Sequence, residues 1–312
     1  MKARTMKLSM ISAAALIAIA ATNAAAQAPL TLQVSTGDKT LTYSTMFDQI
    51  RERCSGEVPM VNVNSSGTVE NIDRLVGNKV NAAFVQSDVL WFRDKTESLG
   101  HIKTLLAMHP EQVHLLALTN SGLKAGNIIN RREVVFTDVS SLAGYAVGAS
   151  GGAAITANVI RLQTEVPFNV VEFGSSKDLV AALQGGQIQA AVFVGGAPLP
   201  LFESLNKAYK LIPINGPAAE KLKSAYRTTT ISYSNLNQST GVQTVTTDAL
   251  FVTRDYSTPR MVDALSRLRS CVLSNLRDIK ETTNTHPAWQ KVQADNMGKW
   301  PHIWEFPAQG KK

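Results

Sequence analysis

Residues 61–90 read VNVNSSGTVENIDRLVGNKVNAAFVQSDVL, and residues 169–199 read NVVEFGSSKDLVAALQGGQIQAAVFVGGAPL. The two stretches follow one pattern: a short apolar strand, a small polar loop, a helix, a glycine stop, a second strand and a second small polar loop. At a constant offset Ile72 meets Val180, Leu75 meets Leu183 and Gly77 meets Gly185. Val80 then meets Ile188, and the pair Ala82-Ala83 meets Ala190-Ala191. A glycine just past a helix is the expected C-terminal stop. Each copy delivers two loops to one edge of its sheet, the edge where open α/β sheets bind ligands. The repeated unit predicts two similar lobes facing each other across a cleft.

The rest of the chain continues this pattern. LTLQV, YAVGA, VHLLALT and DALFVT are further short apolar runs, and AITANVIRLQ has helical spacing. Strands alternating with helices predict an α/β protein with mainly parallel sheets. From about Arg260 the chain reads as a helix, with Met261, Leu265, Leu268, Val272 and Leu276 on one face, as in an ordinary packed helix. The tail, with Trp289, Trp300 and Trp304, reads as a loop or short helix packed on the surface.

A length of 312 residues suits one large domain or two lobes, and 44% hydrophobic with 18% charged residues suits a chain that buries a core. The first residues stand apart. Lys2, Arg4 and Lys7 precede a short apolar run and NAAAQ, the pattern of a secretory signal peptide cleaved after Ala26 to leave Gln27. That run is shorter than the roughly eighteen residues a membrane span needs, and no later stretch qualifies. The expected product is an exported, soluble protein that is not inserted in a membrane. The formal charge is +7, and three of those charges belong to the leader. The remaining excess is mild, with no basic stripe interleaved with aromatics, so no nucleic acid is expected as a partner. Cys54 and Cys271 are the two cysteines. In an oxidising compartment they could form a disulfide tying the chain ends into one lobe, or remain two buried thiols.

Gly148-Ala149-Ser150-Gly151-Gly152 fits G-x-S-x-G, the nucleophile-elbow pattern, between a strand and a helix. The alternative function is therefore an exported serine hydrolase using Ser150, with Asp248 or Asp255 and His286 downstream. Against it stand the lack of an HGGG-like segment and the ease of a chance match among 20 glycines. His101, His109, His114, His286 and His302 form no zinc spacing, and no phosphate-binding glycine motif is present, so no metal or cofactor is expected. A binding reading accounts for more. NSSGTVEN, VQSD, GASGGA and VGGAP each follow a strand or lead into a helix. Free amides and the dipole at a helix N-terminus attract an anion, each by roughly 0.3–1 kcal/mol. Ser65, Ser66, Ser87 and Ser150 would add hydroxyl donors. For any one loop, ordinary helix capping explains the same residues.

These segments resemble the TAXI-type solute-binding subunits of TRAP transporters, over almost the whole mature chain. NSSGTVENIDRLVGNKVNAAFVQSDVLWF is similar to that family's S-G-S-x-E-N helix and the strand ending in Q-S-D. YAVGASGGAAITANVIRL resembles its G-x-x-G-S-G turn, ALQGGQIQAAVFVGGAP its D-G-Q-I-D-A strand ending in G-x-P, and VTTDALFVTRDY its late returning strand. The resemblance implies a type II periplasmic binding protein: two α/β lobes joined by a two-strand hinge with a ligand cleft between them. It implies a small organic acid or acidic amino acid such as glutamate as ligand, a TRAP membrane permease as partner, a periplasmic location, a monomer and no catalysis. The implied ligand-binding residues are Thr36, Gly37 and Tyr43, then Ser65, Ser66 and Gly67, and Gln86, Ser87 and Asp88. Ser150, Gly151 and Gly152, Gly195 and Gly196, and Thr247 complete the set. The first motif departs from the family's T-G-x-x-G-G-x-Y-Y. Thr36, Gly37 and Tyr43 keep their places and the paired glycines are gone, and Q-I-D-A has become Gln187-Ile188-Gln189-Ala190. Lys39 could supply a charge there or simply be solvated. The expected lobes are residues 27–118 with 245–312, and 119–244, with VHLLALT and VTTDALFVT as hinge strands. A protein of the same fold serving a sensor remains a further alternative.

Overall fold

The structure, a computed structural model, describes residues 30–127, 129–238 and 241–303. The expected leader and Trp304 lie outside them. The first half alternates strand and helix: β1 (Leu32–Ser35), α1 (Thr42–Cys54), β2 (Met60–Val63), α2 (Thr68–Val76), β3 (Ala82–Gln86) and α3 (Ser87–Glu97). Strand β1 lies between β2 and β3 and is parallel to both. A long strand, β4 (Ile102–Leu118), then leaves this unit, followed by a small hairpin of β5 (Lys124–Ala125) and β6 (Arg132–Glu133).

The second half repeats the arrangement with β7 (Ala146–Ala149), α4 (Gly152–Thr164), β8 (Asn169–Glu172), α5 (Ser176–Gln184) and β9 (Ala190–Gly195). Here β7 is the central strand, parallel to β8 and β9. Next come α6 (Pro200–Glu203), β10 (Tyr209–Leu211), α7 (Gly216–Lys221) and β11 (Arg227–Ile231). The long strand β12 (Val242–Arg254) returns to the first half, and α8 (Pro259–Glu281) closes on it. The strand order is β2-β1-β3-β12-β4-β9-β7-β8, with β10 on β4 and β11 on β12.

Strands β4 and β12 run antiparallel and belong to both lobes. The later half of β12, Ala249–Thr253, pairs with β3, while Gln112–Ala117 of β4 pairs with β9. Between these ends their register slips at Asp248/Leu250, opposite Pro110. A proline cannot donate to the ladder, so it sits where the pairing is already irregular. Strand β4 begins at Ile102, well before VHLLALT. The stretch IKTLLAM is strand as well, and Leu105 and Met108 are fully buried.

Helices cover both faces of each lobe, so β3 is buried at every residue and β1 and β7 at all but one. In β3, Phe84 stacks on Phe251 at 4.7 Å beneath α1 and α8, while Ala83 and Val85 pack against α2 and α3. The second lobe sets α4 and α7 on one face and α5 and α6 on the other. Cys54, at the end of α1, is disulfide-bonded to Cys271 in α8. The tail is not a surface layer. Trp289 is fully buried in the first lobe and donates to Gln49 Oε1 at 2.7 Å. Trp300 is also buried and donates to the carbonyl of Ile102 at 2.8 Å. With their N–H groups paired, both indoles can bury their large apolar rings.

Candidate functional site

The loops at the strand ends of the first lobe are organised by a residue the sequence reading passed over. Asn71, fully buried in α2, donates to the carbonyls of Thr36 (2.8 Å) and Phe84 (2.7 Å) and accepts from Ser35 Oγ (2.6 Å) and Ser65 Oγ (2.5 Å). One amide thereby ties together β1, β3 and the loop after β2. Its signal was the N of the S-x-E-N segment. Thr36 donates to Asn62 Oδ1 at 2.7 Å, and the carbonyl of Gly37 accepts from Ser65 N and Asn64 Nδ2. Ser66 turns both its amide and its hydroxyl to Glu70 Oε2, at 2.7 and 2.9 Å. Those bonds hold the Glu70 carboxyl below its usual range. A side-chain carboxylate thus occupies the donors expected for an anionic ligand at this loop. Gly67 precedes α2 with φ of 123°, a conformation that favours glycine.

Gln86 ends β3, and Ser87 and Asp88 form the first turn of α3 rather than a loop. Ser87 Oγ lies 2.8 Å from Thr247 Oγ1 and accepts from the amide of Asp248 at 3.2 Å. The Thr247 hydroxyl also accepts from the amide of Asp88 (3.1 Å) and lies 3.2 Å from its Oδ1. Three of the expected residues therefore meet at β12. Asp88 reaches further: its Oδ2 accepts from Thr156 Oγ1 of α4 (2.6 Å) and from the phenol of Tyr226 (2.8 Å). Asp88 is wholly buried, which pushes its carboxyl up, against the pull of those hydroxyls. The Tyr226 phenol rises well above its usual value through its own burial and the neighbouring Asp88 charge.

In the second lobe, Gly151 precedes α4 with φ of 53°. A methyl group on Gly152 would come within 2.1 Å of Gln86 Oε1 and 3.5 Å of Thr68 Cβ, so the start of α4 abuts the first lobe. Gly195 pairs with Gln112 in the sheet, and a methyl on Gly196 would lie 3.7 Å from the ring of His109. Two residues of the hydrolase alternative, Asp248 and His286, are engaged elsewhere. Arg227 holds both oxygens of Asp248, at 2.8 and 2.5 Å. His286 accepts from the amide of Ala288 and lies 3.4 Å from Thr42 Oγ1. Among the described residues, no hydrogen bond joins Ser150 to His286 or Asp248.

Tyr43 leads to residues that the sequence reading missed. Its hydroxyl donates to Glu111 Oε2 at 2.9 Å, and burial together with that carboxylate raises the phenol well above its usual value. His109, two residues before Glu111 on β4, is 1% exposed, and neither ring nitrogen has a hydrogen-bond partner. Its Nε2 lies 3.6 Å from Glu111 Oε1, too far for a hydrogen bond. Its ring meets that of Tyr43 edge-on at 6.3 Å. The available signal was the H-P-E-Q stretch, His109 to Gln112, between the apolar runs LLAM and LLAL of one strand. Among the described residues, no group of three His, Cys, Asp or Glu is placed to hold a metal ion, and no helix is long and apolar enough to cross a membrane.

The family model of the NMT1-like family matches residues 35–301. Among solved structures, the chain is similar to Tv2483 bound to L-arginine, at 12% identity over 86% of this chain and 92% of that one, with a TM-score of 0.53. A Bordetella bronchiseptica RB50 protein matches at 12% identity over 84% and 76%, TM-score 0.51. The GluR0 ligand-binding core from Nostoc punctiforme, in complex with L-glutamate, matches at 14% identity over 80% and 94%, TM-score 0.48. At these identities the likeness is one of fold. The architecture is that of type II periplasmic binding proteins: two α/β lobes joined by a pair of crossing strands.

Proposed function

This chain belongs to the NMT1-like family and has the two-lobed type II fold, and on that basis we propose that it is a solute receptor of the periplasm. It captures a small organic acid or amino acid between its lobes and presents it to a TRAP-type membrane permease. The first lobe comprises residues 27–118 and 245–312, the second 119–244. The loops after β1, β2, β7 and β9, with the first turn of α3, form the walls of the cleft. The receptor acts through closure, since a ligand that favours the closed state shifts the population toward it. No covalent step belongs to this function.

The observation that carries the reading is the meeting of the two sets of loops. Gly152 stands against Gln86, Gly196 stands against His109, and Asp88 takes hydrogen bonds from Thr156 and Tyr226. Each contact joins a first-lobe or hinge residue to the second lobe, at the sheet edge where such folds take ligands. A solved structure of this fold, Tv2483, is bound to L-arginine.

The test is to purify the protein from a periplasmic extract, denature it and identify any released solute by mass spectrometry. That solute should then stabilise the stripped protein, by about 2.7 kcal/mol at a hundredfold excess over Kd. An empty protein that no solute stabilises would refute the receptor. Covalent labelling of Ser150 by a fluorophosphonate, lost in Ser150→Ala, would favour the hydrolase instead. For the partner, uptake into proteoliposomes holding a TRAP permease should depend on added receptor.

A further inference from the structure

We propose that the solute held in this cleft carries a protonated nitrogen, bound by Glu111 together with His109 and Tyr43. The inference rests on the receptor reading above and shifts its ligand class from small organic acids or amino acids to solutes that carry a basic nitrogen, amino acids and amines.

The argument starts from what the group lacks. His109 is buried with neither nitrogen paired, and unpaired polar groups inside a protein are uncommon because desolvation is costly. It lies in the seam between the lobes, with Tyr43 of α1 on one side and Gly196 of the second lobe on the other. Glu111 is 6% exposed, and its Oε2 accepts from Tyr43. Its Oε1 faces His109 beyond hydrogen-bond distance. Asp88, fully buried, adds a second carboxyl close enough to raise the Tyr43 phenol, and His286, held below its usual value first by burial, lies near enough to feel the charge of His109. The titratable groups that these contacts bring to the seam are the carboxyls of Glu111 and Asp88, the phenols of Tyr43 and Tyr226, and the imidazoles of His109 and His286.

An ammonium or guanidinium group suits this set. It can donate to Glu111 Oε1 and to the unprotonated nitrogen of His109, giving both a partner. The other His109 nitrogen then carries a proton and can donate to an acceptor on the same solute, such as the carboxylate of an amino acid. A solute bearing carboxylates alone would instead place like charges beside Glu111, which is unfavourable in a buried site.

The experiment compares matched solutes that differ only in the nitrogen group: L-glutamate with glutarate, L-alanine with propionate, and putrescine with n-butane-1,4-diol. Thermal shift and calorimetry are run on the wild type and on Glu111→Gln. At least one nitrogen-bearing member should bind the wild type while its counterpart does not, and its affinity should fall at least tenfold in Glu111→Gln. The solute released from the purified protein should contain a basic nitrogen. Equal binding of a nitrogen-free counterpart, an unchanged affinity in Glu111→Gln, or a nitrogen-free released solute would overturn the inference and leave the receptor standing. Stabilisation by no solute, with none released, would overturn both. If Glu111→Gln does not fold, His109→Gln and Tyr43→Phe serve in its place, with affinity losses of at least threefold expected and unchanged affinity overturning the inference.

Discussion

Gly148 has no room for a methyl group: one added there would lie 2.4 Å from Ile188 Cδ1 and 2.7 Å from Leu179 Cδ2. Together with the positive φ of Gly151 and the contact of Gly152 with Gln86, this gives each glycine of the apparent elbow a structural reason. Gly148→Ala should therefore destabilise the protein by about 1–3 kcal/mol through overpacking, measured by urea unfolding, with m unchanged. A second residue sets a pH response. His114 is buried, with Nδ1 2.9 Å from the carbonyl of Gln112 and Nε2 2.8 Å from the Tyr233 hydroxyl. Burial lowers its pKa from 6.5 to about 4. The unfolded chain takes up this proton as pH falls below 6.5, whereas the folded chain does so only near 4. Stability therefore falls across that window and levels off below it. The His114 contribution between pH 7 and pH 5 is a loss of about 2 kcal/mol, which His114→Gln should remove from the measured pH dependence.

At the scale of elements, α3 matters most because its first turn carries Asp88 to the second lobe. In Asp88→Ala the hydroxyls of Thr156, Tyr226 and Thr247 lose a buried carboxyl partner. Unfolding free energy should drop by about 3 kcal/mol, and small-angle scattering should report a larger radius of gyration as the lobes part. Unchanged stability and radius would mean the lobes are held by other contacts. The repeated units were legible because their order is local: α2 and α5 end at Val76 and Gln184, with Gly77 and Gly185 as the next residues. The left-handed residues fall one place later, at Asn78 and Gly186, which are themselves matched. Other features depend on distant partners and were not legible. The first turn of α1 falls within the motif that begins at Thr36, which reads as part of the binding site. The first part of β4 was obscured by His109-Pro110, and the pairing of Glu111 with Tyr43 depends on contacts between α1 and β4. Trp289 and Trp300 read as surface residues because the groups that accept from them, on Gln49 and Ile102, are far away in sequence.

For the molecule as a whole, the governing fact is that the chain leaves the first lobe along β4 and returns along β12. The second lobe is therefore an excursion made within one lobe, and only the crossing pair and the interlobe contacts fix its angle. Of the candidate site, the strand-end loops could be read from sequence, since fold topology places them. The acid–imidazole group at the hinge could not, since it forms only where the long strands change lobes. The bond between Cys54 and Cys271 has a consequence for a damaged molecule. The entire second lobe lies between these two cysteines, so a protease that cuts once near the exposed Ile129 divides the backbone without releasing either piece. After limited digestion the nicked species should migrate as one band on a denaturing gel without reductant and as two bands once thiol is added.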